Sequence, residues 1–240
     1  MVLSAPKCNA MLLSTKHKHL QSMPSQSFTV KQVNNEIPVV DSSKILGVHF
    51  DKFMTWNEHL SHIYNQINKN LFLLRQIKAH LSLHLRKLFY NSYILPYLDY
   101  CCVIWGNCSK TSLDNLLKIQ FCKRAARLIL DVKDIRTSSH DMFSKLGWMP
   151  LPERIKYHQS LQVYKCLKGL CPPKLQNLFQ YQHSIHGYQT RAAHKDNLFI
   201  PQKHHKSFCH TGASIWNELP LKIRNATSVQ TFKRLYNNNL

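Results

Sequence analysis

Six apolar side chains, Leu60, Ile63, Ile67, Leu71, Leu74 and Ile77, recur at intervals of three and four residues, and this run constrains the fold more than any other feature. That spacing puts all six on one face of an α-helix and is incompatible with the two-residue repeat of a strand. A stripe of this length must be covered by other apolar surface. The helix is expected to run to about Lys78.

A second helix is expected from a Ser82 cap, with Leu85, Leu88 and Phe89 turned inward and an end before Pro96, whose ring opposes continuation. Tyr97 to Gly106 forms an aromatic, cysteine-rich connector. A third helix is predicted from about Thr111 to Leu130, burying Leu113, Leu116, Leu117, Phe121, Ala125 and Leu128. Three amphipathic helices joined this way pack as a bundle.

Upstream, Phe28 to Asp51 has a β-like pattern, with Val39, Val40, Ile45, Leu46, Val48 and Phe50 among its apolar positions and a hairpin turn expected at Asn34-Asn35. Beyond Asp131 the elements shorten around Gly147, Pro150, Gly169, Pro172 and Pro173. Helices are expected at Glu153 to Lys168, with Tyr157, Leu161 and Tyr164 on one side, around Ile215-Trp216, and from Ser228. Tyr181 to Lys206, rich in His, Gln and Lys, reads as exposed. The fold class is therefore mainly α, with a small β portion in residues 1–51, a helical bundle in 52–131 and short helices in 132–240.

Charge limits the partners. The chain has 32 Lys and Arg against 12 Asp and Glu, a formal net charge of +20 over 240 residues. Such a surplus repels itself until an anion neutralises it, so nucleic acid or an acidic membrane surface is the expected class of partner. No stretch reaches the roughly 20 apolar residues that cross a bilayer, so no membrane span is expected. Met1 to Leu13 is a poor secretory signal, and the eight cysteines are expected as reduced thiols in a nuclear or cytoplasmic protein that is not secreted.

Catalytic motifs are absent. Asp41, Asp51, Asp99, Asp114, Asp131, Asp134, Asp141 and Asp196 include no adjacent pair that could hold two Mg²⁺ ions. Six glycines supply neither a Gly-x-Ser-x-Gly elbow nor a Gly-x-x-x-x-Gly-Lys phosphate loop. Candidate zinc ligands are Cys101, Cys102, Cys108, Cys166, Cys171, His204, His205, Cys209 and His210, yet none has the paired Cys-x-x-Cys spacing. Buried thiols and solvated histidines are the simpler reading, with a zinc-dependent binding module as an alternative.

Cations supply the positive signal. Lys118, Lys123, Arg124 and Arg127 follow one another on the third helix, the last three at adjacent, three- and four-residue spacings that share one exposed stripe. Lys69, Arg75 and Lys78 on the first helix and Arg86 and Lys87 on the second extend the set. Helices with apolar faces inward and cations outward can follow a phosphate backbone without reading bases.

The run Lys44-Ile45-Leu46-Gly47-Val48-His49-Phe50-Asp51, followed by Thr55-Trp56-Asn57-Glu58-His59-Leu60, resembles the segment after the active site of LINE-type non-LTR retrotransposon reverse transcriptases. So does Leu95-Pro96-Tyr97-Leu98-Asp99-Tyr100-Cys101-Cys102-Val103-Ile104-Trp105-Gly106. Further matches are Leu117-Lys118-Ile119-Gln120, Ala125-Ala126-Arg127, Leu151-Pro152 with Arg154, Lys168-Gly169 with Pro172, Thr190-Arg191, Ile215-Trp216-Asn217-Glu218-Leu219-Pro220, and Ser228 with Phe232-Lys233. The succession covers nearly the whole chain in order. Met1-Val2-Leu3-Ser4 with Lys7-Cys8 and Met11 is similar to the stretch following the paired catalytic aspartates, although the family usually has Asn and Thr at the places of Ser4 and Cys8.

The resemblance implies the end of a polymerase palm, a thumb-like helical bundle and a carboxy-terminal extension. It implies that Lys7 lies near the pyrophosphate leaving group and that Leu46, Gly47 and Val48 form a primer-grip strand. Lys69 to Lys78 and Lys118 to Arg127 become positions holding RNA or an RNA–DNA duplex. Fingers, most of the palm and the aspartates that bind Mg²⁺ in the parent polymerase would be supplied from elsewhere, so the chain is expected to need no cofactor and to polymerise nothing alone. A non-functional or domesticated transposon fragment, acting as a structural or interaction protein, is the alternative.

Overall fold

The computed structural model describes residues 8–14, 29–32, 35–109, 111–113, 120–134, 136–185, 196–202 and 207–239, and for 32, 35 and 120–122 the backbone alone. The fold is mainly helical with two small antiparallel hairpins. It divides into two compact units: Met1–Lys69 with Cys108–Lys118, and Asn70–Asn107 with Ile119–Leu240.

In the first unit β1 (Val30–Gln32) pairs with β2 (Asn35–Ile37), and β3 (Ser42–Ile45) pairs with β4 (Val48–Asp51). Asn35, half of the expected Asn34-Asn35 turn, is instead the first residue of β2, opposite Gln32, and Asn34 lies outside the described residues. The β3–β4 turn has only two residues, Leu46 and Gly47, at φ 48° and 83°. Two successive left-handed residues make the hairpin twist that matches the flanking strands. Gly47 occupies its position without the Cβ clash that Leu46 must bear.

Asp51 explains the motif that follows β4. Its Oδ1 accepts from the backbone N–H groups of Phe53 and Thr55 at 3.1 and 3.0 Å, and its Oδ2 from the Thr55 hydroxyl and the Trp56 N–H at 3.0 and 2.8 Å. One carboxylate thereby fixes the turn that launches α1 (Asn57–Ile77). Burial raises the Asp51 pKa, and the four hydrogen bonds outweigh it, leaving the group below its ordinary value. Val48, Trp56, Leu60, Ile63 and Ile67 bury here, as the periodicity of the first helix requires.

In the second unit Leu71 and Leu74, on the distal part of α1, are also buried, and a single 3₁₀ turn, Lys78–His80, ends that helix. Ser82 caps α2 (Leu83–Tyr93) by accepting from the Leu85 N–H at 3.3 Å. The inward face of α2 differs from expectation. Leu85 and Leu88 are exposed, whereas Tyr90 is buried together with Ile94. A short helix with mixed apolar residues has no unique stripe, and its rotation is set by what it packs against.

Pro96 ends one helix and opens the next. Its missing N–H and fixed φ suit the first turn of α3 (Leu95–Asp99), and Cys101 at φ 52° turns the chain into α4 (Cys102–Trp105). The connector is thus largely helical. Trp105 is buried, its indole N–H donating to the Tyr100 carbonyl at 2.8 Å.

The remaining elements are α5 (Gln120–Leu130), α6 (Ser139–Leu146), α7 (Leu151–Leu167), α8 (Pro173–Gln176), α9 (Gln182–Ile185), α10 (Phe208–Glu218), α11 (Leu221–Arg224) and α12 (Val229–Asn237). Helix α5 buries Ala125, Ala126 and Ile129, with Leu128 only half-buried. Helix α7 is the central post of the unit. It packs against α3, α4, α8, α10 and α12, with Leu161, Val163, Tyr164 and Cys166 in a core shared with Trp216, Ile223, Phe232 and Tyr236. The segment expected to be exposed reaches that core too. Leu198 is fully buried, and the Asn217 amide brackets it, accepting from its N–H at 2.7 Å and donating to its carbonyl at 2.9 Å.

Candidate nucleic-acid interface

The candidate cations sit on both units. Lys69 belongs to the first and is exposed; Arg75, Lys78, Lys123, Arg124 and Arg127 belong to the second. Arg75 and Arg124 are exposed, and Lys123 and Arg127 half-buried. Lys7 and Lys118 lie outside the described residues. The expected primer-grip residues form the β3–β4 tip and the start of β4: Leu46 is 86% exposed and Val48 2%.

Lys78 is held by Asp131, its Nζ 2.5 Å from Oδ1. Asp131 follows the last residue of α5 in a left-handed conformation, φ 56°, and its carboxyl is held below the ordinary value first by the Lys78 hydrogen bond and charge, with smaller contributions from Arg86 and Lys133. Arg86 is a fastener. Its Nε donates to the carbonyls of Lys78 and Leu81 at 3.1 and 3.0 Å, and its Nη1 to that of Ile129 at 3.1 Å. One guanidinium therefore satisfies carbonyls at the ends of two helices, a favourable place for a cation. The sequence offers no signal that separates Arg86 from the stripe cations.

Five aspartates among the described residues are engaged by other groups of the chain. Asp41 pairs with Lys52, Asp51 caps a turn, Asp99 pairs with Arg154, Asp131 pairs with Lys78, and Asp134 accepts from the Arg136 N–H. No ion pair among the described residues involves Lys69, Arg75, Lys123 or Arg124. Cations without a carboxylate partner add to the local positive potential that attracts anions in general.

The first unit also gathers three imidazoles. His49 lies between His59 and His62, with ring centroids 6.2 and 5.0 Å apart, and its Nδ1 is 3.5 Å from Glu58. His59 is 3% exposed, and burial, with the neighbouring His49 and His62, lowers its pKa to about 4. No group of three His, Cys, Asp or Glu among the described residues is arranged to hold a metal ion. His204 and His205 of the zinc alternative lie outside those residues. No helix is long and apolar enough to cross a membrane among the described residues.

In comparison with known proteins, no family model, no curated protein and no solved structure matches the chain.

Proposed function

We propose that the chain is the nucleic-acid-gripping carboxy-terminal part of a LINE-type non-LTR reverse transcriptase, holding RNA or an RNA–DNA duplex through its phosphates. The observation that carries this reading is the division of labour on α5. Ala125, Ala126 and Ile129 are buried, while Lys123 and Arg124 just before them form no ion pair among the described residues. The order of resembling segments along the chain supplies the family. A surface of this kind positions a duplex for chemistry carried out by the two-metal site of another domain. It is sequence-tolerant, because phosphate contacts fix register without reading bases.

Binding of a short RNA–DNA duplex as a function of salt tests the proposal. Affinity should fall steeply with ionic strength, and Lys123→Gln, Arg124→Gln and Arg127→Gln together should weaken binding and reduce the slope of log K against log salt by about 3. Unchanged affinity in the triple variant would remove the stripe from the interface. Absence of salt-dependent binding to any nucleic acid would favour the structural or interaction role of a domesticated fragment.

A further inference from the structure

The second unit contains a cleft of about 810 Å³ that the duplex-gripping stripe does not use. It lies between one face of α2, helix α6, the turn after it and the start of α7. Lys87, Tyr90 and Asn91 come from α2 at three- and four-residue spacing, Phe143 from α6, Trp148 from the turn and Glu153 from the first turn of α7. The volume falls in the range of small-ligand pockets, about 300–1,000 Å³.

The aromatic wall is built in place. Gly147, at φ 67°, ends α6, and the Trp148 N–H donates back to the Phe143 carbonyl at 2.9 Å. The Trp148 ring stacks on Tyr90, centroids 3.9 Å apart and planes within 21°. Its orientation is therefore fixed before any ligand arrives. Glu153 adds an acceptor that lacks a donor: its Oε2 is buried with no hydrogen-bond partner among the described residues. A buried carboxylate oxygen left so is costly, and a ligand carrying N–H groups offsets the cost. Arg154, also at the cleft, has its guanidinium committed to Asp99.

We infer that this cleft takes an unpaired nucleobase of a single-stranded RNA or DNA segment, a reading that rests on the chain being a nucleic-acid binder. The base stacks against the Trp148–Tyr90 wall. An exposed Asn91 amide and the Glu153 carboxylate meet the donors and acceptors of its edge, as amides and carboxylates do for adenine and cytosine. Lys87 at the same α2 face meets the adjoining phosphate. Single-strand capture is thereby separate from duplex gripping by α5.

Tryptophan fluorescence of the full chain reads this directly. Trp56, Trp105 and Trp216 are buried, at 5%, 1% and 3% exposure, so the half-buried Trp148 is the one that a cleft ligand reaches. Titration with adenosine or cytidine 5′-monophosphate should quench emission saturably, and Trp148→Phe should abolish the change. Asn91→Ala, at an exposed position whose melting temperature should not move, should weaken binding about tenfold. The Lys123, Arg124 and Arg127 triple variant should lose duplex affinity and keep mononucleotide binding. Absence of duplex binding by the unsubstituted chain, with mononucleotide quenching intact, would refute the gripping function and leave this site standing. No saturable quenching by either nucleotide, equal quenching by ribose 5-phosphate, or unchanged affinity in Asn91→Ala would each overturn the assignment. Quenching by leucine amide but by neither nucleotide would do so too, and would give the cleft to a protein partner.

Discussion

Arg154 and Asp99, 55 residues apart in sequence, form a two-pronged ion pair, with Nε 2.5 Å from Oδ1 and Nη2 2.6 Å from Oδ2. Both side chains are about three-quarters buried, and His158 Nε2 stands 3.3 Å from the same Oδ1. The pair ties α7 to α3 at the centre of the second unit. Parallel hydrogen bonds between a planar guanidinium and a carboxylate are the strongest side-chain contacts available to it.

Asp99→Asn should destabilise the protein by about 3 kcal/mol, because the partly buried guanidinium is left without its counter-charge. Burial raises the Asp99 pKa, but hydrogen bonds and charge from Arg154 and His158 prevail and bring it to about 2. A depressed acid stabilises the fold above its unfolded value of 3.8, and that contribution fades as pH falls from there toward 2. Urea melts at pH 7 and pH 3 should show wild type losing on the order of 1–2 kcal/mol more than Asp99→Asn across the interval. Parallel losses would contradict the role.

Gly106→Ala should be poorly tolerated although φ there is an ordinary −65°. A Cβ would lie 2.4 Å from the Cys102 carbonyl oxygen and 2.5 Å from Ile155 Cγ2. Both neighbours are held, the first by helix α4 and the second by the core. We expect a loss of about 1–3 kcal/mol, measured by thermal denaturation.

Acidification should loosen the first unit. His59 stays neutral down to about pH 4 in the fold, whereas an unfolded imidazole takes up its proton near 6.5. The fold therefore gains from this group fully above 6.5 and loses that gain as pH drops from 6.5 to 4. His49 and His62, with Lys44 and Lys69 near the latter, repel the incoming charge, while Glu58 beside His49 tempers it. Amide protection factors, exchange corrected for its intrinsic pH dependence, should fall in β3, β4 and the first turns of α1 between pH 7 and pH 5, and His59→Leu should flatten the change. The expected effect is on the order of 1–2 kcal/mol.

Leu46→Asn should stabilise the β3–β4 hairpin. Leu46 holds φ 48° while 86% exposed, so its side chain contributes little burial to set against the left-handed backbone. Asn adopts that conformation more readily, and Asn-Gly is the favoured pair for such a turn. A gain of a few tenths to about 1 kcal/mol in urea denaturation is expected. A loss would mean that the Leu46 side chain packs in solution.

Helical segments were legible where a stripe or a cap was long enough to speak for itself. The first helix, the Ser82 cap and the α7 and α12 segments lie where periodicity and capping chemistry put them. The face of α2 and the short helices of the connector were not, because few residues and mixed polarity leave several rotations nearly equal until neighbours choose. Among the candidate site residues, sequence spacing identified Lys123 and Arg124 as a charged stripe, but it could not tell them from Lys78 and Arg86, which the fold spends on Asp131 and on helix-end carbonyls.

Local chemistry alone determined the mainly helical class and the large cationic surplus, since both follow from residue order and count. Tertiary structure decided how that surplus is used. Asp99 meets Arg154, Asp131 meets Lys78 and Arg86 reaches Ile129 only because folding brings distant segments within 3.1 Å or less. Such partners are chosen by packing geometry, which no pattern along the chain encodes.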